Sequence, residues 1–242
     1  MSTPLRKAMQ RDMELKGLAE STQSAYIYHV RRFAEYHGKS PEVLGTEEIK
    51  EYLYYLIKEE KRRGTYVNYA YSALKFLYVR TLEREWSSAK IPRLKKERIL
   101  PSVLSQSEVQ DLFNAVENIK HKAILMTIYA AGLRVSEAAN LKLADIDSKN
   151  MQIHVSLGKG KKDRYCILSK KNLEILREYF EEYKPKEWLF PNKNTGKPIS
   201  TRTIQRVFDK AYDKSGIKKK ATVHTLRHYV ESNIMGSNLG LR

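Results

Sequence analysis

The chain of 242 residues carries 45 Lys and Arg against 28 Asp and Glu, a formal charge of +17, with 41% hydrophobic residues and one cysteine. No uninterrupted apolar run approaches the roughly 20 residues that cross a bilayer, and the first ten residues lack the apolar core of a secretory leader. Cys166 alone cannot close an internal disulfide, and regularly spaced tyrosines and branched aliphatics exclude a disordered chain, so a globular cytoplasmic protein is expected.

The first half reads as helices. An amphipathic piece from Leu5 to Lys16 stops at Gly17. Ser21 is the expected N-cap of a helix from Thr22 to His37, with Tyr26, Val30 and Phe33 on one face and Gly38 as its left-handed stop. Thr46 opens a further run whose buried stripe is Ile49, Leu53, Leu56 and Ile57; after a break at Gly64 and Thr65, Val67, Ala70, Leu74 and Leu77 face inward. Four helices in about eighty residues make a compact bundle. Arg31, Arg32, Lys61, Arg62 and Arg63 fall on its polar sides, and 16 tyrosines against 6 phenylalanines offer many rings with a wet edge, suited to phosphate oxygens.

From Ser87 to Ile99 the periodicity lapses, Pro92 forbids an unbroken helix, and five of the thirteen residues are Lys or Arg, Lys95 and Lys96 among them. This stretch predicts an extended basic linker between a helical domain, residues 1–86, and a second domain, residues 100–242. Residues 1–98 hold 20 basic against 13 acidic side chains and residues 99–242 hold 25 against 15, so the positive surplus is shared by both halves rather than held in a tail. Each phosphate neutralised by Lys or Arg releases a condensed counterion, which makes a polyanion the natural partner; a well-solvated basic surface is the alternative.

The second half is mixed, mainly helical with a small antiparallel sheet. Ser105-Gln-Ser-Glu108 is a capping box opening a helix to about Val116. Lys122–Ala131 predicts an apolar helix ending at Gly132, with a restart near Ser136. Met151–Leu157 and Arg164–Leu168 predict two short strands, joined through the glycine-rich basic tip Gly158-Lys159-Gly160-Lys161-Lys162-Asp163. Helices from about Ser169 to Tyr183 and Thr201 to Lys214 follow, and a last helical piece carries His224-Thr-Leu-Arg227-His228. Arg134, just past a helix stop, can aim a planar fork of donors at a phosphate; His224 and Arg227, three apart, share a helical face; Lys159 between two glycines leaves room for a nucleic-acid backbone. Each alone also fits an ordinary surface residue. The tip lacks P-loop spacing, and no His, Cys or carboxylate pattern has metal-ligand spacing, so neither metal nor cofactor is expected.

In their order and spacing these motifs resemble the tyrosine recombinase (phage integrase) family, in particular its Xer-like and transposon-integrase members. Gly132-Leu-Arg134-Val-Ser-Glu137 resembles the first arginine box, with Glu137 at a supporting acidic position; Gly158-Lys159-Gly160 resembles the hairpin lysine motif, for which Lys161 and Lys162 are also open; His224-Thr-Leu-Arg227-His228 resembles the second box. The resemblance implies a SAM-like core-binding bundle followed by a catalytic domain, a clamp on double-stranded DNA to which Arg164 and Arg202 would add contacts, and a tetramer on DNA. It also implies strand cleavage and rejoining through a 3′-phosphotyrosyl intermediate, in which Arg134, Lys159, His224 and Arg227 serve the phosphate and a tyrosine attacks. In the family that tyrosine lies well beyond the second box, whereas 15 residues follow Arg227 here, with Tyr229 as their one tyrosine. The expectation is therefore a nucleoid-associated chain, monomeric in solution and truncated before its nucleophile, that binds DNA without completing cleavage. A non-catalytic DNA-binding regulator is the alternative, and a type IB topoisomerase the third reading.

Overall fold

The computed structural model describes residues 4–95, 103–156 and 163–227. Lys96, Lys159, Lys161, Lys162, His228 and Tyr229 lie outside the described residues. The chain divides into two compact units, Met1–Ile99 and Leu100–Arg242.

In the first unit α1 (Pro4–Leu15) begins at a proline, whose missing N–H costs nothing there, and buries Leu5, Met9 and Met13, one per turn. Helix α2 (Glu20–His37) starts earlier than the Ser21 cap predicts: Ala19 holds the cap position and makes no side-chain cap bond, while Glu20 places its charge at the positive end of the helix. Gly38 closes it in the left-handed region at φ 62°. Helix α3 (Thr46–Lys58) is capped by Glu48, whose Oε2 accepts from the Gly45 N–H at 2.8 Å, and α4 (Gly64–Phe76) widens into one π-helical turn over Leu77–Thr81. Val30, Phe33, Ile49, Tyr52, Leu56 and Leu74 fill the interior between these helices. Part of the stretch expected to be an extended linker is instead fastened to this unit. Ile91 is 2% exposed in its core, and the Leu94 carbonyl accepts from Asn68 Nδ2 at 3.2 Å. Two apolar residues among the basic ones suffice to dock it, while Lys90, Arg93 and Lys95 stay exposed.

In the second unit α5 (Gln106–Asn114) carries the expected capping box, with Glu108 N–H to Ser105 Oγ at 3.2 Å and Ser105 N–H to Glu108 Oε2 at 2.6 Å. Helix α6 (Ile119–Ala131) is buried nearly all round, followed by the five-residue α7 (Val135–Ala139). Three antiparallel strands follow in spatial order: β1 (Ile146–Asp147), β2 (Gln152–Val155) and β3 (Arg164–Ile167). The register sets Ile153 opposite Cys166 and Val155 opposite Arg164. Helices α8 (Lys170–Tyr183) and α9 (Thr201–Ser215) are capped by the hydroxyls of Ser169 and Ser200, and residues 223–227 are helical again. Ile124, Leu125, Ile128, Ile153, Phe190 and Phe208 are fully buried at the centre, each worth about 1.5–3 kcal/mol of transfer free energy.

Candidate active site on the second unit

Gly132 starts the site. It ends α6 in the left-handed region at φ 59°, which a residue with a Cβ resists, so the chain leaves the helix sharply. Leu133 is buried, and Arg134 follows in extended conformation at the N-cap of α7. An N-cap side chain ordinarily accepts a free helix N–H, but arginine has no acceptor. Glu137 reaches back instead, its Oε2 accepting from the Arg134 N–H at 2.7 Å and its Oε1 from Arg134 Nη1 at 2.6 Å. The same carboxylate receives a fork from Arg164 on β3, with Nη1 to Oε1 at 2.9 Å and Nη2 to Oε2 at 2.7 Å. From the helical run at 223–227, Arg227 Nη1 donates to the Gly132 carbonyl at 2.6 Å and lies 3.8 Å from Glu137 Oε2. Three guanidinium groups thus surround one carboxylate.

The Glu137 side chain is only 6% exposed, whereas Arg134 and Arg164 each keep 33% of theirs open. Burial alone would raise the Glu137 carboxyl; the bonds from Arg164 and from the backbone and side chain of Arg134 outweigh it and hold the group at about 2. Arg164 is in turn pushed above the ordinary arginine range, chiefly by its bonds to Glu137. The carboxylate therefore orients the arginines without covering them, and donors fixed in this way can stabilise negative charge that develops on a phosphoryl oxygen. His224 is exposed on the same short helical run as Arg227, whose neighbours Val223 and Leu226 anchor the run in the core. Among the described residues no group of three or more His, Cys, Asp or Glu is placed to hold a metal ion.

The predicted contact residues of the first unit are placed very differently from one another. Arg32 is half-buried and spent internally: its guanidinium pairs with both Glu60 oxygens and donates to Tyr66 Oη at 2.8 Å. Arg62 also bonds Glu60, at 2.7 Å, and lies over the Tyr66 ring, while Arg31 pairs with Glu35 at 2.7 Å on the surface. Burial and the Arg32 charge push neighbouring His29 down to about 4, so this histidine sits neutral in the cluster. Lys61, Arg63 and Lys95 are exposed, as is Arg202 in the first turn of α9.

Residues 102–242 match the phage integrase family, and residues 5–88 match the phage integrase N-terminal SAM-like domain. The chain belongs to the phage integrase family. This integrase-family chain is 44% identical over 241 residues to y4qK of Sinorhizobium fredii, a protein named as an integrase/recombinase, spanning 99% of this chain and 78% of that one. It is 30% identical over 237 residues to a tyrosine recombinase of Thermosipho africanus, spanning 93% and 82%. Its fold is that of lambda integrase residues 75–356, solved as a dimer bound to a COC′ core site, with TM-score 0.74 and 19% identity over 93% of this chain and 86% of that chain.

Within the integrase-family chain, the sequence motifs pointed to Arg134, Glu137 and Arg227, and these three meet. What they did not show is that Arg164, expected among the DNA contacts, has its fork closed on Glu137. The strand's apolar alternation pointed the other way, with Tyr165 and Ile167 as the residues expected to face inward. In the structure Tyr165 and Ile167 are instead exposed, 69% and 70%, which leaves Arg164 and Cys166 on the inner face beside buried Ile153 and Val155. A charge on an inner face needs a partner.

Proposed function

We propose that this chain serves site-specific DNA recombination or integration: it binds duplex DNA with both units and holds one phosphodiester at the Glu137-centred arginines for strand cleavage and rejoining. The observation that carries this is the convergence of both arginine boxes, far apart in sequence, on one buried carboxylate. Arg134 and Arg227 clamp the non-bridging oxygens as charge builds on them, and His224 hydrogen-bonds or exchanges a proton there. Lys159, with Lys161 and Lys162 as alternatives, gives its proton to the departing 5′-hydroxyl. A tyrosine oxygen forms the new bond to phosphorus as the 5′ oxygen leaves, which conserves the bond for rejoining. The nucleophile is assigned to none of the described residues. Lambda integrase is seen as a dimer on a DNA site, and for this chain we propose a monomer in solution that assembles on DNA in the nucleoid.

The test begins by selecting a duplex that the full chain retains. A version nicked near the retained site is then assayed on a denaturing gel, with and without hydrogen peroxide as an added small nucleophile. The peroxide arm reads phosphate activation whether or not a tyrosine of the chain attacks. Site-selective binding without Mg²⁺ is expected, with peroxide-dependent nicking that falls about 100-fold or more in Arg134→Ala and Arg227→Ala while affinity changes little. Binding with no arginine-dependent nicking in either arm would replace this reading with a non-catalytic DNA-binding regulator. A tyrosine-linked band without peroxide would support cleavage by a tyrosine of the chain itself and make Tyr229 the first residue to change.

A further inference from the structure

Resting on the recombinase reading of this site, we propose that Arg164 is a positioning residue for it: its fork on Glu137 fixes the carboxylate that aims Arg134 at the scissile phosphate. Arg164 comes from outside both arginine boxes, at the start of β3. Glu137 has two oxygens and must orient Arg134 through one of them. Arg134 Nη1 takes Oε1, and the Arg134 backbone N–H takes Oε2. Those two contacts come from a single residue at one end of a five-residue helix, and the carboxylate could still pivot about its own χ angles. Arg164 adds parallel bonds to both oxygens from a different element, which fixes the carboxylate plane. Its own position is set by the strand pair, where it lies opposite buried Val155.

This arrangement divides the work among the cations. With both arms of its fork on Glu137, Arg164 has little left for a phosphate, whereas Arg134 uses one terminal nitrogen and its backbone on Glu137. Lysine at position 164 would keep the charge but not the plane, because an ammonium is a point donor. The prediction therefore separates charge from geometry. Arg164→Gln removes both, Arg164→Lys removes only the fork, and Glu137→Gln removes the group through which the effect passes.

The experiment follows the side-chain Nε–H signals of Arg134 and Arg227, and the carboxyl carbon of Glu137, by NMR in the full chain. Wild type is compared with Arg164→Gln, Arg164→Lys, Glu137→Gln and the double variant Arg164→Gln/Glu137→Gln. In wild type the Arg134 signal should be sharp and should shift when a nicked duplex is added. In Arg164→Gln and Arg164→Lys it should broaden or vanish while backbone amides elsewhere keep their positions, and in Arg164→Gln the Glu137 carboxyl should titrate about one pH unit higher or more. The double variant should match Glu137→Gln alone, since Arg164 acts only through that carboxylate. An unchanged Arg134 signal in both Arg164 variants, or additive effects in the double variant, would overturn the proposal. Failure of the recombinase reading looks different: a sharp wild-type Arg134 signal that the nicked duplex does not move.

Discussion

Replacing Glu137 by glutamine should destabilise the second unit by an amount that depends on pH in a defined direction. The folded protein holds this carboxyl at about 2 against an ordinary 4.5. A difference of about 2.5 units, at about 1.4 kcal/mol each, corresponds to about 3.5 kcal/mol of stability. That is the lower end of the range for breaking a buried ion pair, as expected where Arg134, Arg164 and Arg227 can recover some hydration through their open faces. Because the folded-state value is depressed, the contribution is complete above about pH 4.5 and disappears as pH falls toward 2; glutamine lacks it at every pH. The gap between wild type and variant should thus be constant from pH 7 to above 5 and shrink to about half near pH 3. Urea unfolding reads it cleanly, because the chain has 2 tryptophans, Trp86 in the first unit and Trp188 in the second. In a Trp86→Phe background, fluorescence reports the second unit alone. A loss under about 1 kcal/mol at pH 7, or one that does not shrink on acidification, would refute the assignment of Glu137 as the charge that holds the site together.

Changing Gly132 to alanine should cost the second unit about 1–2 kcal/mol through its left-handed backbone, read by the same Trp188 signal; an unchanged midpoint would contradict the φ of 59°. Tyr78→Phe should cost the first unit about 1 kcal/mol, because its buried hydroxyl donates to the Pro41 carbonyl at 2.8 Å, and Trp86 fluorescence should record the loss while Trp188 does not. Binding of a retained duplex should weaken steeply with salt. If about six to eight phosphates are neutralised, log K against log[salt] has a slope of about −5 to −7, and a flat response would sink the two-unit contact expected from the shared positive surplus.

Residue types that act locally made much of this protein legible in its sequence. Gly38 and Gly132 end helices because their backbones can turn left-handed, and Ser105 with Glu108 closes a capping box through contacts three residues apart. Arg134, Glu137 and Arg227 could be named because each lies in a short motif. The misreadings concern competition between distant groups. Ser21 loses the cap of α2 because nothing in the two preceding residues stops the helix, and the expected linker is docked because Ile91 and Leu94 find an apolar surface on α3 and α4. Strand β1 has two residues, too few for alternation to register. Arg32 and Arg164 looked like free cations because their partners, Glu60 and Glu137, lie 28 and 27 positions away. A basic composition counts every arginine alike, and only the fold separates those that bind an internal carboxylate from those left open.

That separation bears on why a negative residue stands among groups meant to hold a phosphate. Three arginines without Glu137 would repel one another within a few ångströms and would bind any anion, ground state included. With Glu137 the cluster carries two net positive charges, held in fixed places by Arg164 on one side and by the Gly132 carbonyl on the other. On the proposed recombinase reading, a bound phosphodiester brings one negative charge and attack by a tyrosine oxygen builds more on the same oxygens. On that reading the added charge meets donors already in place, so the cluster would bind the pentacoordinate arrangement more tightly than the intact strand, which is the condition for acceleration. Glutamine at 137 would leave three positive charges whose positions are no longer fixed. Binding of intact DNA should then hold or rise while peroxide-dependent nicking falls, and nicking that rose in step with affinity would show that charge alone, without placement, is what the site supplies.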